Sequence, residues 1–247
     1  MKRTKLEVCV DSVESALAAS RGGADRLELC GCLPMGGTTP ELSLYRAVRH
    51  CTDLPVRVLI RPRAGDFCYS AYEFGIMCDA VALFREEGAD AVVTGCLTPE
   101  GDVDLKRMKR LREAAGPMDM TFHRAFDMAR DAGQALRDIE SLGGISTILT
   151  SGQAPDVEKG IGNLKAIIAG ADGRLDIMPG GGVNSGNLEH LEEELHAPVY
   201  HMSGKMAVSS RMIYRNPAVS MGEDSSSEYR IWRTDEEEVR KARAILG

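Results

Sequence analysis

The sequence lacks any hydrophobic run near the roughly 20 residues that a membrane-spanning helix needs. Its first residues are basic and pass directly into a short strand-like run, without the apolar core of a secretory signal peptide. It also lacks a block of basic residues, and its formal net charge is -7 at pH 7. These absences predict a soluble cytoplasmic protein that has neither nucleic acid nor a membrane as a partner.

The sequence also lacks the cysteine pattern of a secreted protein. Its seven cysteines are odd in number, and all of them lie in the first hundred residues. Secreted disulfide frameworks are usually small, dense and even in cysteine number, so we expect reduced thiols in the cytosol. No C-x-x-C pair is present, which disfavours a structural zinc site.

A short pattern repeats along the chain: a helical run, a glycine and then a β-rich segment. It occurs at 21–29, 87–94 and 142–150. In each case the glycine stands where a helix ends in left-handed backbone, and a strand follows at once. The repeat therefore predicts alternating helices and strands.

These signals predict eight strands and eight helices. The strands are expected near 5–10, 26–30, 56–61, 91–95, 119–123, 146–150, 175–179 and 199–203, and the helices near 12–21, 40–50, 70–87, 104–114, 132–142, 156–169, 185–195 and 235–246. Eight units of roughly 30 residues fit the length of a closed barrel, so we predict an α/β fold, a single (β/α)8 TIM-barrel domain over residues 1–247. An open doubly wound sheet also fits the alternation, but the count of eight and the lack of a second-domain linker favour the barrel.

One segment departs from this rhythm. About 30 residues, 204–233, separate the eighth predicted strand from the last helix. Connections of this length are usually functional or disordered, so we expect a long loop there.

Several predicted strands alternate between apolar and polar residues. In the first, Leu6, Val8 and Val10 alternate with Glu7 and Cys9. Similar alternation occurs near 26–30, 56–61 and 119–123. In a barrel the apolar set faces the helices, so the polar set faces the lumen. Buried charges are costly unless paired, so this polar set indicates either a functional site or a structural Glu–Arg network that fixes the strand register.

The first candidate site is an acid–base cluster. It comprises Glu7, Glu28, Arg61, Arg63, Asp66, His123, Arg124 and Asp127, all at strand ends or in the loops that follow. Carboxylates, guanidiniums and one imidazole together are suited to binding an anionic substrate and moving a proton. No lysine lies in the second to seventh predicted strands, which disfavours Schiff-base chemistry and leaves only Lys205 after strand eight.

The second candidate is an anion site after the last two strands. Gly180, Gly181 and Gly182 follow the seventh strand, and Ser203 and Gly204 follow the eighth. Backbone amides at these two places form the phosphate site of many barrels. The glycines therefore predict a site for phosphate or another anion, although a tight turn explains them equally well.

The third candidate is a thiol site. Cys9 and Cys30 have the same lumen-facing parity on neighbouring strands, and Cys32 adds a third sulfur nearby. Soft thiolates select Cu(I), and two or three of them suffice to bind it. The alternative is that these buried cysteines only pack as small hydrophobic residues. His201 on the eighth strand shares its parity with Ser203, so it is also a candidate for the barrel mouth.

Motifs throughout the chain resemble those of the copper homeostasis protein CutC family. In order they read Glu7-Val-Cys9-Val-Asp-Ser, Gly23-Ala-Asp-Arg-Leu-Glu-Leu-Cys30, Gly36-Gly-Thr-Thr-Pro40, Ile60-Arg-Pro-Arg63-Ala-Gly-Asp-Phe-Cys-Tyr-Ser70, Thr121-Phe-His-Arg-Ala-Phe-Asp127, Leu149-Thr-Ser-Gly152, Met178-Pro-Gly-Gly-Gly182, Met212-Ile-Tyr-Arg-Asn216 and Ser220-Met221. The resemblance covers nearly the whole chain.

The resemblance implies a cytoplasmic TIM barrel that forms a homo-oligomer, a dimer or a tetramer, and acts in copper homeostasis. Cys9 and Cys30 match the family's cysteine positions and are the implied Cu(I) ligands, whereas Cys32 lies outside the family pattern. The loop Arg63-Ala-Gly-Asp66 also departs from the family's Arg-Gly-Gly-Asp. Because copper has no need of the Arg, His and Asp motifs, the alternative is an enzyme of unknown reaction that acts on a small anionic, possibly phosphorylated, substrate by acid–base chemistry.

Overall fold

Eight parallel strands alternate with eight helices in a computed structural model that describes residues 3–216, 218–219 and 227–247. The strands are β1 (Lys5–Val10), β2 (Arg26–Leu29), β3 (Val56–Leu59), β4 (Ala91–Thr94), β5 (Asp119–Phe122), β6 (Thr147–Thr150), β7 (Asp176–Pro179) and β8 (Val199–Met202). The helices are α1 (Val13–Gly22), α2 (Leu42–Cys51), α3 (Ala71–Glu86), α4 (Leu105–Ala115), α5 (Ala132–Leu142), α6 (Val157–Ala171), α7 (Leu188–Leu195) and α8 (Glu236–Leu246). The predicted α/β barrel is confirmed, while Ser220 and Met221 of the family motifs lie outside the described residues.

The strands follow one another around the barrel in chain order. Each pairs in parallel with the next from β1 to β7, and β8 pairs with β1. A parallel bridge between Gly180, just after β7, and His201 in β8 completes the ring. The carboxyl ends of all eight strands therefore open at one end of the barrel, where this fold places its ligand sites.

Glycine ends helix α1 as the repeated pattern predicts, and a serine begins helix α3. Gly23 ends α1 with a left-handed φ of 92°, and its amide donates to the carbonyls of Ala19 and Ser20. Ser70 begins α3 with a capping box, in which its side chain accepts from the Glu73 amide while the Glu73 carboxylate accepts from the Ser70 amide. These caps fix where α1 ends and where α3 begins.

The two faces of each strand pack into different layers. The outward set, which includes Leu6, Val8 and Val10, joins the large core between the strands and the helices. Inward-facing Cys9, Cys30, Leu59 and Val93 form a separate small cluster in the lumen, as do Leu149, Met178 and Val199 on the other side. The predicted alternation is confirmed, and the charged residues share the lumen with these small apolar clusters.

The segment between β8 and α8 contains secondary structure that the sequence did not reveal. Strand β9 (Lys205–Ser209) pairs in antiparallel fashion with β10 (Arg230–Thr234), and a short 3-10 turn, Ser227–Tyr229, precedes β10. The ammonium group of Lys205 lies 5.5 Å from the centre of the Trp232 ring. The long connection therefore begins and ends in a two-stranded ribbon.

The described ranges contain eight α-helices. None of these helices combines the length and the apolar character that crossing a bilayer requires.

Candidate functional site

A cavity of about 840 Å³ opens at the carboxyl ends of the strands. It brings together many of the residues that the sequence predicts for a site: Cys9, Glu28, Arg61, His123, Arg124, Asp127, Gly181, Gly182, Ser203 and Gly204, with His201 beside them. Five other predicted residues do not line it: Glu7, Cys30, Arg63, Asp66 and Gly180. The polar lumen and the glycine loops therefore contribute to one space.

Glu7 lies below this cavity and is completely buried. The strand register places it beside Arg26 on β2 and His201 on β8. Arg26 Nε donates to Glu7 Oε2 at 2.5 Å, and His201 Nδ1 lies 2.9 Å from Oε1. Burial acts to raise the pKa of Glu7, but the Arg26 charge and the contact with His201 outweigh it and lower the pKa to about 2. Glu7 is therefore a carboxylate that orients its two neighbours.

A second arginine extends this buried layer. Arg57 donates to Thr121 Oγ1 and to Asp119 Oδ2, each at 2.7 Å, and its Nε lies 3.8 Å from Glu7. Arg26 and Arg57 were visible in the strand alternation but not among the candidate site residues. Their contacts are those of a structural Glu–Arg network, one of the two explanations that the strand alternation allows.

Cys9, Glu28 and His201 form the floor of the cavity. One potential ligand atom from each lies within 4.8 Å of the others, and the Nε2 atom of His201 is 3.7 Å from Glu28 Oε2. Burial raises the pKa of Glu28 despite the nearby His201. Burial acts to lower the pKa of His201, but Glu28 and Glu7 outweigh it and raise that pKa. The floor therefore holds a thiol, a carboxyl and an imidazole within reach of a single ligand.

The Cys9 and Cys30 sulfurs lie 3.6 Å apart, and both residues are buried. The hydrogen bond with Cys30, followed by burial, raises the pKa of Cys9. Cys30 lies beneath the loop after β2, where a Cβ built on Gly37 would stand 3.5 Å from its sulfur. Cys32 is exposed in that loop. The two predicted thiols are thus adjacent, and Cys9 is the one that faces the cavity.

His123 presents a free ring nitrogen. Its Nδ1 accepts a hydrogen bond from the Ala125 amide at 3.2 Å, and Nε2 is buried with no partner among the described residues. Burial and the nearby Arg61 charge lower the pKa of His123 to about 3. A neutral imidazole that accepts at Nδ1 carries its proton on Nε2. His123 is therefore a neutral N–H donor in the cavity wall.

Arg61 holds two loops at the rim of the cavity. Its guanidinium donates to the carbonyls of Gly36, Gly37 and Gly65, and it lies 5.2 Å from the centre of the Phe67 ring. Four of its side-chain contacts are thus committed to the loops after β2 and β3. Arg61 lines the cavity mainly as a residue that positions its rim.

Arg63 and Asp66 lie in the β3–α3 loop, where Arg63 is half-buried and Asp66 is exposed. Arg63 pairs with Asp66 at 3.0 Å and with Glu73 at 2.6 Å. Because Glu73 belongs to the cap of α3, this pair ties the loop to the helix. The structure does not bring either predicted residue into the cavity.

Arg124 and Asp127 form a tight unit with the end of β6. Arg124 Nε donates to Asp127 at 2.7 Å, and its Nη2 donates to Ser151 Oγ at 2.8 Å. Asp127 also accepts from Thr150 Oγ1 and from the amides of Ser151 and Gln153. Thr150 and Ser151 were missed as site residues, although the family motif that contains them was the available signal.

The glycines after β7 bring the chain close to its neighbours. A Cβ on Gly180 would lie 2.4 Å from Leu149 Cδ1, and one on Gly181 would lie 3.0 Å from the Arg124 guanidinium. Gly181 and Gly182 have left-handed φ values of 99° and 96°. Glycine is therefore required here by close approach and by backbone conformation together.

These features define a TIM-barrel protein with a polar cavity at the carboxyl ends of its strands. The chain belongs to the CutC family, whose model matches residues 4–206. A CutC family protein of Chromobacterium violaceum is 43% identical over 241 residues, 98% of this chain and 97% of that protein. The human protein named copper homeostasis protein cutC homolog is also 43% identical over 241 residues, 97% of this chain and 88% of its own length.

A crystal structure of the copper homeostasis protein CutC from Streptococcus agalactiae has the same fold. It is 29% identical to this chain, covers 80% of this chain and 97% of its own, and superimposes with a TM-score of 0.76. A thiamine phosphate pyrophosphorylase from Pyrococcus furiosus, 17% identical, covers 99% of this chain and 96% of its own with a TM-score of 0.58. The second likeness concerns the barrel fold alone.

Proposed function

We propose that this CutC-family protein acts in copper homeostasis by binding Cu(I) at the floor of its cavity, with Cys9 and Cys30 as the ligands. The observation that carries the proposal is the 3.6 Å separation of the two buried sulfurs. Metal–thiolate bonds are about 2.3 Å long in zinc sites, so two sulfurs at this separation can reach one ion of similar size. Thiolates are the soft donors that select Cu(I).

The surrounding groups are consistent with such a site. One ring nitrogen of His201 and one carboxylate oxygen of Glu28 lie within 4.8 Å of the Cys9 sulfur, and imidazole is a donor that suits copper. Glu7, held by Arg26, fixes the other nitrogen of the His201 ring. His201 is therefore the third donor that we expect to join the two sulfurs.

Competition with a chromophoric Cu(I) chelator under anaerobic conditions tests this proposal. We expect the wild-type chain to withdraw one Cu(I) from the chelator and the Cys9→Ala plus Cys30→Ala variant to withdraw none. Cys96→Ala is the matched control, because Cys96 is a fully buried free thiol that does not line the cavity. Stoichiometric binding that survives in the double variant would overturn the proposal.

We further propose that the protein works in the cytoplasm as a homo-oligomer, a dimer or a tetramer. All seven cysteines are free thiols, as is usual in a reducing compartment.

Met212, Ile213 and Tyr214 expose apolar side chains next to one another, a surface that a second copy would cover. Light scattering should give a multiple of 26.8 kDa for the wild type and a smaller assembly for Ile213→Glu. A monomeric wild type would contradict the oligomer.

A second candidate function is acid–base catalysis on a small anionic substrate. The observation that favours it is the position of His201 between the buried Glu7 carboxylate and Glu28, a carboxyl whose pKa burial raises. Such an arrangement can hold a proton at Glu28 or His201 and exchange it with a molecule in the cavity. A screen of small anions as substrates, with the wild type and Glu28→Gln, tests this candidate. We expect the wild type to turn over at least one of them and the variant to lose that activity.

A further inference from the structure

Four backbone amides with no acceptor among the described residues lie in the loops after β7 and β8. They belong to Gly181, Gly182, Ser203 and Gly204, all of which line the cavity. Within the ranges that the structure describes, the N–H groups of these four residues donate no hydrogen bond. Unused backbone N–H groups from adjacent loops are suited to binding the oxygens of an anion.

A guanidinium group faces the same loop. Arg124 Nη1 would lie 3.0 Å from a Cβ on Gly181, so the missing side chain leaves space next to this nitrogen. Asp127 holds Nε and Ser151 holds Nη2, whereas Nη1 has no hydrogen-bond partner in the described part of the chain. The arginine is thus fixed in place with its unpaired nitrogen next to Gly181.

A second, independent donor lies in the wall of the same cavity. The Nε2–H group of His123 is buried and has no acceptor among the described residues. Leaving such a group unpaired in a buried position is unfavourable, so it favours a ligand that supplies an oxygen. The donor is neutral, which suits an uncharged acceptor such as a carbonyl oxygen.

The acidic residues of the cavity restrict where an anion can lie. Asp235 and Glu238 line it on the side of α8, where Glu238 accepts hydrogen bonds from the amide and hydroxyl of Ser185. Their negative charge opposes an anion there, while Arg124 attracts one on the side of the β7 loop. Arg124 is paired with Asp127, and Lys205 also lines the cavity, so the anion position is set by the unpaired Nη1 and the loop amides rather than by charge alone.

We propose that the cavity binds a small phosphorylated carbonyl compound, with its phosphate between the Gly181 and Gly182 amides and Arg124 and its carbonyl oxygen on His123. The volume of about 840 Å³ accommodates a compound of this size. This inference names the substrate class for the second candidate function and rests on it for any turnover. The binding itself depends neither on copper nor on turnover.

Inorganic phosphate is the first probe. Titration into copper-free protein labelled with 15N-glycine, at constant ionic strength set with chloride, should shift the amide signals of Gly181 and Gly182 saturably. Arg124→Gln should weaken binding by at least about tenfold, since it removes a charge-assisted contact. Gly181→Ala should also weaken it, because its Cβ meets the guanidinium.

Arg130→Gln is the matched control. Arg130 carries the same charge, pairs with Asp102 on the surface and does not line the cavity. The affinity of the Arg130→Gln variant for phosphate should stay within about twofold of that of the wild type. The absence of a saturable shift in the wild type, or equal weakening by Arg124→Gln and Arg130→Gln, would overturn the anion site.

Dihydroxyacetone phosphate is the second probe, and it tests the contact with His123. His123→Asn keeps an acceptor near the Ala125 amide but removes the Nε2–H donor, whereas His123→Gln reaches toward the Nε2 position. We expect the ester to bind at least about fivefold more weakly to His123→Asn than to His123→Gln, while inorganic phosphate binds both alike. Equal affinity of the ester for the two variants would overturn the two-point site.

The outcomes separate this inference from the candidate function on which turnover rests. Phosphate and ester binding with the predicted variant pattern supports the site even if no anion is turned over, and in that case only the catalytic candidate fails. Turnover of a small anion without saturable phosphate binding would keep the catalytic candidate and overturn the phosphorylated substrate.

Discussion

Arg26 donates a hydrogen bond from Nε to Glu7 Oε2 across the first two strands at 2.5 Å, with both side chains buried in the barrel lumen. Paired strands put these residues side by side, and His201 reaches the other oxygen of the same carboxylate. The layer beneath the cavity is therefore held by charges that satisfy one another.

Removing one member of this pair should be costly. Arg26→Met leaves the Glu7 carboxylate buried with one strong partner fewer, so we expect a loss of about 3–5 kcal/mol in the free energy of unfolding. The double variant Glu7→Leu plus Arg26→Met should lose much less. Urea unfolding of the two variants and the wild type measures this, and a double variant less stable than Arg26→Met would contradict the account.

The titration of His123 should make the protein less stable in mild acid. Its pKa is about 3 in the fold against 6.5 as the reference value, so the unfolded chain takes up the proton first as the pH falls below 6.5. Between pH 7 and pH 5 this residue alone should remove about 2 kcal/mol of stability. His123→Asn should show a correspondingly shallower dependence of unfolding free energy on pH.

The ring itself provides an independent check of that prediction. The 15N spectrum of the wild type should show a neutral His123 ring protonated at Nε2 throughout the range from pH 7 to pH 5. A titration midpoint near 6.5 for this ring would show that it is not buried as described.

Arg61, unlike Arg63, should control the order of the loop after β2, to whose carbonyls it donates. Arg61→Lys replaces a planar fork of donors by one ammonium group that cannot reach both loops, so the carbonyls of Gly36, Gly37 and Gly65 lose partners. We expect faster amide hydrogen exchange in the loops after β2 and β3. Arg63 donates only to Glu73, to Asp66 and to carbonyls within the loop after β3, so Arg63→Lys should leave exchange in the loop after β2 unchanged. Equal effects of the two variants on the loop after β2 would contradict the assignment.

The close approach of Gly180 to Leu149 predicts that a substitution at Leu149 partly restores the stability lost by a substitution at Gly180. Gly180→Ala puts a Cβ 2.4 Å from Leu149 Cδ1, and we expect this overpacking to cost about 1–3 kcal/mol. Leu149→Val removes that methyl group and should restore part of the loss. A double-mutant cycle by thermal unfolding measures the coupling, and strictly additive effects would be evidence against the contact.

Most of the barrel could be predicted because its boundaries are local. Glycine and proline mark where helices end and strands begin, and the alternation of Leu6, Glu7, Val8 and Cys9 fixes which side chains enter the lumen. The ribbon of β9 and β10 was missed because its strands pair across about twenty intervening residues. Such pairing depends on tertiary contacts rather than on a local signal.

The candidate site was only partly predictable. The alternation along a strand predicts which side chains enter the lumen, but it does not predict how deep in the lumen each one lies. Glu7 and Cys9 share a face, yet Glu7 lies below the cavity while Cys9 lines it. The alternation also does not predict the path of the loop that follows a strand. Arg63 follows the same strand as Arg61, but it pairs with Glu73 outside the cavity. The free Nε2 of His123 depends on the turn that brings the Ala125 amide to Nδ1.

X-ray absorption at the copper edge, recorded on protein loaded with one equivalent of Cu(I), tests the central claim most directly. The account predicts two sulfur neighbours at about 2.2–2.3 Å with one nitrogen neighbour from His201, and loss of both sulfurs in Cys9→Ala plus Cys30→Ala. A wild-type spectrum with only nitrogen and oxygen neighbours, or one unchanged in the double variant, would contradict it.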